Sequence, residues 1–562
     1  MAAGDTRKQK KLFRDGMFYE LQLNGPAPDR MAFSLDDPYR SDPERGEELI
    51  AQYLEALSAD DDGTMEAEGF GAPWLAAEPG TVWARRLQEF SWLRELRGAG
   101  DDAREPARAM ALGWLTQHGA YEPEVWAPDL VAERLWALCS HGGWLMEGAD
   151  ALWRSKLLTS MARQARHLSK AVSRIDHPGS RLVAALSLIA AGLILPYHRP
   201  CEQQGAELLR RELRLQLRAD GGHISRNPSL QMMLALRLQI IIAAYEQKDL
   251  APPNFLYHAV GRTTDMVEFF RCGDGRLAVF NGSHEDDARA LAACLAHDVS
   301  NRSRIDFASQ SGYQRLSGAR TYLFVDTGSR GRQIQTRPLI AGAPVTPFDS
   351  AFSIQLSDGR ERIIVNCGSI EAFAATEPRM TPEKLKAWHG AVSGADAHST
   401  LCVQTAHRIG GAANQAQGRP LYHHLEEDRH GQLLELERQQ VAGAPGATHR
   451  RRLYLSVDGD DLRGEDVLIA AGGHRVPPFV IRFHLHPGIK TSLSRDGRSV
   501  ILVTPRNEGW TFLAGKADIA IEKSLYCGAN GRKQATSQLV VRPRSSGESA
   551  TQIKWAFRKA SI

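Results

Sequence analysis

The apolar positions between about Val82 and Gln247 recur three and four residues apart, which is the spacing of amphipathic helices. Helices are predicted at these places: one carrying Trp83, Leu87, Phe90, Trp92 and Leu93, then over residues 107–118, after Pro128, near Ala149, after Pro178, over residues 204–217 and over residues 228–248. Short turns rich in Gly and Pro separate them, and no signature repeats along the series. This pattern predicts antiparallel helical hairpins arranged in an arc or toroid.

Past about Phe255 the pattern changes to short stretches in which apolar and polar residues alternate. The motif Cys272-Gly273-Asp274-Gly275 indicates a hairpin, and a short helix is predicted over residues 286–298. From Gly312 onward, Asp-Gly turns punctuate a succession of short strands, which is typical of an antiparallel β-sandwich. The predicted strands include residues 321–326, 352–356, 362–365, 400–404, 452–457, 479–484, 500–504 and 539–542.

The two patterns occupy separate blocks, so we predict a multidomain protein with helices first and strands second. Residues 1–75 are rich in Pro, Asp and Gly and are expected to form an irregular lead-in that wraps around the body. Residues 76–255 then form the helical (α/α) toroid, residues 256–310 a connecting segment, and residues 311–562 the antiparallel β-sandwich. Two such domains are expected to share a cleft.

The polar stretch at residues 220–228, Asp-Gly-Gly-His-Ile-Ser-Arg-Asn-Pro, separates two of the long helices. Asn227 and Pro228 are predicted to cap and open the second of them. Arg226 and Asn227 lie beside the positive end of that helix dipole, a combination that suits a carboxylate or a sulfate. The alternative is an ordinary turn in which Asn227 is a cap and Arg226 a surface charge. His223 is likewise either a base or a residue that satisfies the turn.

Composition narrows the class of protein. The 69 Lys and Arg against 66 Asp and Glu give a net charge of +3, which does not support nucleic-acid binding. The 7 cysteines lack CxxC spacing and fit reduced thiols in a cytoplasmic protein. The basic N-terminus has no apolar signal core, and the apolar run from Ala184 to Leu195 is too short to cross a bilayer. We therefore expect a cytoplasmic protein without a membrane span, and the periplasm is the less favoured location.

Seven phrases occur in order from about residue 80 to the end of the chain. They are LQEFSWLREL from Leu87, DGGHISRNPSLQ from Asp220, SGYQRL from Ser311, IVNCG from Ile364, AHSTL from Ala397, HRRRLYLS from His449 and FVIRFHLHP from Phe479. Together they resemble the heparinase II/III-like family, in its alphaproteobacterial form. The resemblance implies an (α/α) toroid followed by a β-sandwich. It also implies lysis of an acidic polysaccharide by β-elimination at a uronic acid.

That reaction requires three groups. The uronate carboxylate must be neutralised to stabilise the developing aci-carboxylate, a base such as Tyr or His removes the C5 proton, and an acid protonates the departing glycosidic oxygen. The candidates for catalysis are His223, Asn227, Tyr313 and His398. The candidates for substrate binding are Arg226, Arg315, Arg482, His484 and His486.

Several of these candidates have a structural alternative. Tyr313 begins a strand, where an aromatic side chain is more often part of the core. Alternation places Arg482, His484 and His486 on one face of a strand. Two histidines on a strand suit zinc, but a third ligand is not evident, so a polar face toward a glycan is preferred and no metal or cofactor is predicted. His398 either reaches the cleft or is a hydrogen-bonded structural histidine.

The sequence departs from active members of the family at four aligned places. It reads Gly179-Ser180-Arg181-Leu182 where they carry an Asn-His pair, and Asn227-Pro228-Ser229-Leu230 where they carry the catalytic Tyr. Pro347-Phe348-Asp349 replaces a metal-associated His, and Arg438-Gln439-Gln440 replaces a His of the sandwich. These departures weaken the expectation of lyase catalysis.

Two functions therefore remain open. The first is a lyase that acts on acidic, uronate-containing polysaccharide and leaves an unsaturated uronate. The second is a catalytically degenerate glycan-binding or envelope-related protein that keeps the cleft. A cytoplasmic scaffold is a weaker third reading, because it would have no use for the basic lining expected of the cleft. No GxSxG, P-loop or HExxH motif supports a hydrolase triad, a nucleotide site or a zincin.

Overall fold

A computed structural model describes residues 18–58, 81–296, 305–328, 348–374, 380–404, 422–441, 443–529, 532–544 and 548–560. Its helices are a short segment at residues 18–23 and then α1 Pro43–Ser58, α2 Val82–Gln88, α3 Trp92–Gly98, α4 Arg104–His118, α5 Pro128–Met146, α6 Ala151–Ala171, α7 Pro178–Ile194, α8 Arg199–Gln216, α9 Pro228–Gln247, α10 Asn254–Phe269, α11 Ala288–Ala296, α12 Glu371–Ala374 and α13 Pro382–Ser393. Helices α1–α11 precede the first strand, and α12 and α13 lie between two strands of the sandwich.

The helical domain is organised around three apolar helices. Helices α5, α7 and α9 each begin with a proline in the first turn, and each is buried around most of its circumference. Among the described helices, α9 is the one long and apolar enough to cross a membrane by length and composition, yet 72% of its apolar window is buried inside the protein. Its apolar character is therefore accounted for by its place in the core.

The N-terminal segment is more ordered than its composition predicts. Residues 24–42 have no regular structure, but Ala32 N–H donates to the Ile194 carbonyl and Leu35 N–H to the Cys139 carbonyl, both at 2.9 Å. Leu35 is buried in the helical core. The next 16 residues form α1, which the sequence analysis missed because Pro, Asp and Gly around it obscure its periodicity.

The strands are β1 Phe307–Ala308, β2 Tyr313–Gly318, β3 Thr321–Asp326, β4 Ile354–Asp358, β5 Glu361–Val365, β6 Leu401–Val403, β7 Tyr422–Glu427, β8 Gly431–Val441, β9 Ala444–Ser456, β10 Asp461–Ile469, β11 Phe479–Leu485, β12 Lys490–Leu493, β13 Ser499–Val503, β14 Gly509–Gly515, β15 Ala517–Tyr526, β16 Gln534–Pro543 and β17 Ala550–Ala560. The first sheet has the order β1-β2-β3-β4-β5-β11-β16-β15, with β6 also paired to β11. The second has the order β12-β13-β14-β17-β10-β9-β8-β7. All pairings between these strands are antiparallel, so the predicted fold class is confirmed.

The two sheets bury one continuous core between them. On β11, Ile481, Phe483 and Leu485 face this core, as the alternation of the strand predicts. Phe483 meets Trp555 of β17 with ring centroids 4.7 Å apart, so aromatic contacts join the sheets at the centre.

One predicted helix is interrupted, and a second helix besides α1 was not predicted. The helix expected to carry both Trp83 and Trp92 is interrupted at Phe90, whose φ of 58° ends α2 and reorients the chain into α3. Helix α13 was not anticipated, because it is an insertion between strands. Its N-cap, Thr381, accepts a hydrogen bond from Lys384 N–H.

Candidate functional site

The hairpin at residues 220–228 joins the helical domain to the sandwich. The Asp220 carboxylate accepts hydrogen bonds from the N–H groups of Gln310 and Ser311, at 3.0 and 2.7 Å, and from the Ser311 hydroxyl at 2.8 Å. Arg226 donates to the carbonyls of Ser311, at 2.8 Å, and Gly312, at 3.0 Å, and forms a buried ion pair with Asp326. We call this region the joint. Its contacts neutralise the charge of Arg226 within the protein. Arg226 is not a surface charge, and its predicted role as a ligand-binding group conflicts with this ion pair.

The double glycine of the hairpin is explained by two close approaches, one to α10 and one to the sandwich. Gly221 has a φ of 86°, and a Cβ there would lie 2.2 Å from the Arg262 carbonyl oxygen. A Cβ on Gly222 would lie 1.9 Å from the Ser311 hydroxyl oxygen. Any larger side chain at residue 222 would push the sandwich away from the hairpin.

Tyr313 is a buried member of the joint. Its hydroxyl donates to the Arg226 carbonyl at 2.6 Å, and the Arg226 guanidinium lies over its ring at 4.7 Å. Asp326 also accepts a hydrogen bond from Ser350 at 2.7 Å. Burial raises the pKa of Tyr313 above its ordinary value, which makes the phenol a poor base at neutral pH. Tyr313 therefore stabilises the domain contact rather than reaching a ligand.

His223 fills the hairpin. Its Nδ1 lies 2.8 Å from the Ser225 hydroxyl and its Nε2 lies 2.9 Å from Gln216 Oε1. Burial lowers the pKa of His223 to about 3, so the imidazole is neutral and both of its nitrogens are occupied. The structure thus places His223 where it satisfies the turn.

The remaining predicted residues are distributed over the first sheet and have partners within the protein. Arg315 pairs with Asp306, and Arg482 donates to Gln538 Oε1. His398 contacts the Gly394 carbonyl, His484 contacts Ser524 and the Asp396 carbonyl, and His486 pairs with Glu285 at 3.3 Å. None of them lines the cavity described next, and the sandwich face around His484 is covered by the segment that carries α13.

A cavity of about 1070 Å³ lies between the helical domain and the connecting segment. Its lining combines residues 36–45 of the N-terminal segment, helices α2 and α3, the inner helix α9 and the loop 282–287. Asn227 is the one predicted site residue among the described residues that line it. Its Oδ1 accepts from Leu230 N–H at 3.0 Å and its Nδ2 donates to the Asn281 carbonyl at 3.2 Å, so the amide serves as a helix cap.

The lining of the cavity carries more carboxylates than arginines. Seven arginines and nine carboxylates are among the described lining residues, which corrects the expectation of a basic cleft. Most charges are paired: Arg94 donates to Asp37 at 2.6 Å, and Arg237 pairs with Glu133 at 2.9 Å. Hydrogen bonds from His141 and Arg94 outweigh the effect of burial and hold the pKa of Asp37 well below its usual range.

Three nitrogens at the cavity are shielded from solvent and have no hydrogen-bond partner in the described part of the chain. They are Arg45 Nη2, Arg237 Nη1 and His284 Nδ1. A buried polar atom without a partner costs about 1–3 kcal/mol unless water or a ligand satisfies it. Other such atoms occur among the described residues away from the cavity, for example Trp153 Nε1 and Trp510 Nε1, so it is the grouping of three around one cavity that matters. Trp83 and Trp136, also at the cavity, lie beside Arg45 and Arg237, with guanidinium-to-ring distances of 5.4 and 4.6 Å.

Sequence reasoning missed most of this lining. The segment Asp36-Asp37-Pro38-Tyr39-Arg40 was read as an irregular lead-in, yet it supplies one wall of the cavity. The available signal was its density of charged and aromatic residues in a stretch without periodicity. Among the described residues there is no cluster of three or more His, Cys, Asp and Glu side chains suited to a metal ion.

The chain thus combines a helical toroid, a two-sheet sandwich and a cavity at the helical side. Residues 301–556 match the family model described as Heparinase II/III-like, C-terminal. The chain is 28% identical over 561 residues to the FtsZ-localized protein C of Caulobacter vibrioides, covering 96% of this chain and 92% of the relative.

Solved structures show the same fold. The crystal structure of heparinase III superimposes with a TM-score of 0.69 at 14% identity, covering 98% of this chain and 91% of that chain. Heparan sulfate lyase HepC from Pedobacter heparinus gives 0.56 at 13% identity, with coverage of 97% and 88%. Chondroitin AC lyase from Streptomyces coelicolor gives 0.54 at 10% identity, with coverage of 94% and 81%. At these identities the likeness concerns the fold alone.

Proposed function

We propose that this protein binds an acidic saccharide in the cavity and does not cleave it. The observation that carries the proposal is the presence at the cavity of Arg45, Arg237 and His284, each with a nitrogen that has no partner in the described part of the chain. Two arginines and an imidazole are suited to carboxylate, sulfate and hydroxyl oxygens. Trp83 and Trp136 add apolar ring faces, against which a pyranose ring packs.

The lack of cleavage follows from the state of the catalytic candidates. Tyr39 lines the cavity, but burial, with a smaller contribution from Asp286, raises its pKa well above its ordinary value. The Asn227 amide, which would neutralise a uronate carboxylate, is engaged as a helix cap. His223 and Tyr313 lie outside the cavity lining. None of the residues predicted for catalysis is therefore placed to remove the C5 proton, and none of them stabilises the β-elimination transition state.

The test separates binding from turnover. Wild-type protein is titrated calorimetrically with heparan, chondroitin, alginate and glucuronan oligosaccharides, and each mixture is then followed for the ultraviolet absorbance of an unsaturated uronate. We expect binding of at least one acidic oligosaccharide without product. Accumulation of unsaturated product would restore the lyase assignment, whereas the absence of binding across the panel would refute the proposal.

A matched pair of variants locates the binding site. Arg45 pairs with Glu48 three residues away, and Arg210 pairs with Glu207 in the same way on α8, away from the cavity. Arg45→Ala is expected to weaken saccharide binding about tenfold, because it removes a charge-assisted hydrogen bond. Arg210→Ala is expected to bind as wild type. Equal losses in both variants would indicate a non-specific charge effect.

A second role is supported by the likeness to the Caulobacter relative, which extends over 96% of this chain. The name of that relative associates it with FtsZ, and for this chain we infer the same association, in the cytoplasm. Co-sedimentation with polymerised FtsZ tests it: the protein is expected to pellet with polymer and to stay in the supernatant with unpolymerised FtsZ. Recovery in the supernatant under both conditions would contradict this role.

A further inference from the structure

The outward face of the second sheet carries a depression of about 390 Å³ that is separate from the cavity. Neighbouring strands place Leu433, Tyr454, Arg463, Ala556 and Leu513 in one row across the sheet. Ala556 is the smallest side chain of this row and forms its low point, between Arg463 and Leu513. The depression is therefore lined by apolar groups in a sheet face that is otherwise charged.

The charged side chains around the depression do not reach solvent equally. The four cations of its rim, Arg452, Arg463, Lys554 and Arg558, have side chains that are 46%, 58%, 70% and 53% exposed. Their carboxylate partners are only 16% to 25% exposed. The carboxylates lie low against the strands and the cations project above them. A molecule that approaches this face therefore meets positive charge first, although the ion pairs nearly balance.

We propose that this face binds an acidic peptide segment of a partner protein, with one large apolar side chain of the peptide seated over Ala556. The projecting cations supply the charge complementarity, and the depression is large enough to hold one leucine or aromatic side chain. The near balance of charge argues against a nucleic acid or an anionic membrane, which require a dense positive surface rather than a rim around an apolar centre.

The rim cations and the apolar floor of the depression have separate roles in binding. The rim cations attract acidic residues and make binding sensitive to salt, as is usual for exposed charges. The floor discriminates peptides by their central side chain, because a polar residue placed there loses its hydration without gaining a partner. Both parts are needed for specific recognition.

The experiment uses full-length protein and fluorescently labelled peptides, with binding measured by anisotropy at two salt concentrations. The probe peptide has a central leucine flanked by aspartate and glutamate. One comparison peptide carries serine at the centre, and another carries lysine in place of every acid. We expect the leucine peptide to bind about tenfold more tightly than the serine peptide, the lysine peptide not to bind, and added salt to weaken binding.

Protein variants test the site itself. Arg463→Glu with Arg558→Glu is expected to weaken binding of the probe at least about tenfold, whereas Arg210→Glu on α8, a similarly exposed arginine with a carboxylate partner, is expected to leave it unchanged. Ala556→Trp fills the depression without changing charge, and its control is Gln552→Trp on the same face of β17. Ala556→Trp alone is expected to abolish the preference for leucine.

Three results would overturn the proposal. The first is no binding of the acidic leucine peptide by folded wild-type protein, and the second is equal binding by all variants. The third is binding of a DNA duplex or of anionic vesicles that Arg463→Glu with Arg558→Glu removes, without any binding of the peptide. Thermal denaturation of each variant confirms that the loss of binding is not a loss of folding.

Discussion

The joint and the cavity are two polar regions built at the boundaries of the helical domain, and they differ in how completely their polar groups are satisfied. At the joint, Asp220, Arg226 and Asp326 are engaged by backbone and side-chain partners from both domains. At the cavity, Arg45 and Arg237 each keep a shielded nitrogen without a partner in the described chain. A satisfied polar cluster has a structural role, whereas an unsatisfied one leaves polar groups available to water or to a ligand.

The largest expected effect concerns Arg226. Arg226→Ala leaves the Asp326 carboxylate buried without its cation, and breaking a buried ion pair in this way costs about 3–5 kcal/mol. We expect a pronounced fall in the urea midpoint of unfolding. If the variant unfolds like wild type but loses acidic-saccharide binding, the joint is the ligand site and our comparison is reversed.

The second-largest effect on stability is expected at Gly222, where the hairpin packs closely against the sandwich. Gly222→Ala would place a methyl group against the Ser311 hydroxyl and is expected to lower the free energy of unfolding by about 1–3 kcal/mol. Its control is Gly261→Ala in α10, where nothing lies within 4 Å of the added Cβ. That substitution should stabilise the protein by about 0.5–1 kcal/mol, because alanine favours the helix. A neutral Gly222→Ala would contradict the tight contact.

Acid is expected to weaken the joint through His223. The pKa of this imidazole is about 3 in the folded protein, below the ordinary value of about 6.5, so the folded state binds fewer protons than the unfolded chain in that interval. The contribution of the neutral imidazole to the free energy of unfolding is complete above about pH 6.5. It is lost at about 1.4 kcal/mol per pH unit as the pH falls toward 3. Urea titrations of wild type and His223→Gln between pH 7 and about 5 give the free energy of unfolding at each pH. The slope of that free energy against pH should differ between the two proteins by the equivalent of about one proton. Identical slopes would mean that His223 is not buried in the neutral form.

Asn227 belongs to both regions, and its smaller effect sharpens the boundary between them. Asn227→Ala removes the hydrogen bond to Leu230 N–H and is expected to cost about 1 kcal/mol in the free energy of unfolding. Asn227→Asp retains an acceptor for the cap and is expected to restore most of that stability. A saccharide-binding loss common to both variants, but not explained by stability, would show that the amide also contacts the ligand.

The smallest effect on stability is expected at the cavity. Arg45→Ala removes a partly exposed ion pair with Glu48 and should change the free energy of unfolding by less than about 1 kcal/mol. The same variant is expected to lose saccharide affinity. Arg45→Ala should therefore affect binding more than stability, whereas Arg226→Ala should affect stability more than binding. A Tm shift as large as that of Arg226→Ala would remove the distinction between the two regions.

Much of the fold could be predicted because the relevant signals are local. The prolines that open α5, α7 and α9, the cap at Asn227 and the alternation along β11 each act within a few residues. Helix α1 and the break at Phe90 escaped prediction for the opposite reason. In the first case charged and turn-forming neighbours hide the period, and in the second the apolar period continues through a residue with positive φ.

The sequence alone determined the order of a helical and a strand domain, the helix cap at Asn227 and the resemblance to the heparinase II/III-like family. Only the tertiary structure decided which polar residues line the cavity. The partner of Arg226 is Asp326, one hundred positions along the chain, and one wall of the cavity comes from residues 36–45. Periodicity specifies which face of an element is buried, whereas the pairing of charges depends on residues that only folding brings together.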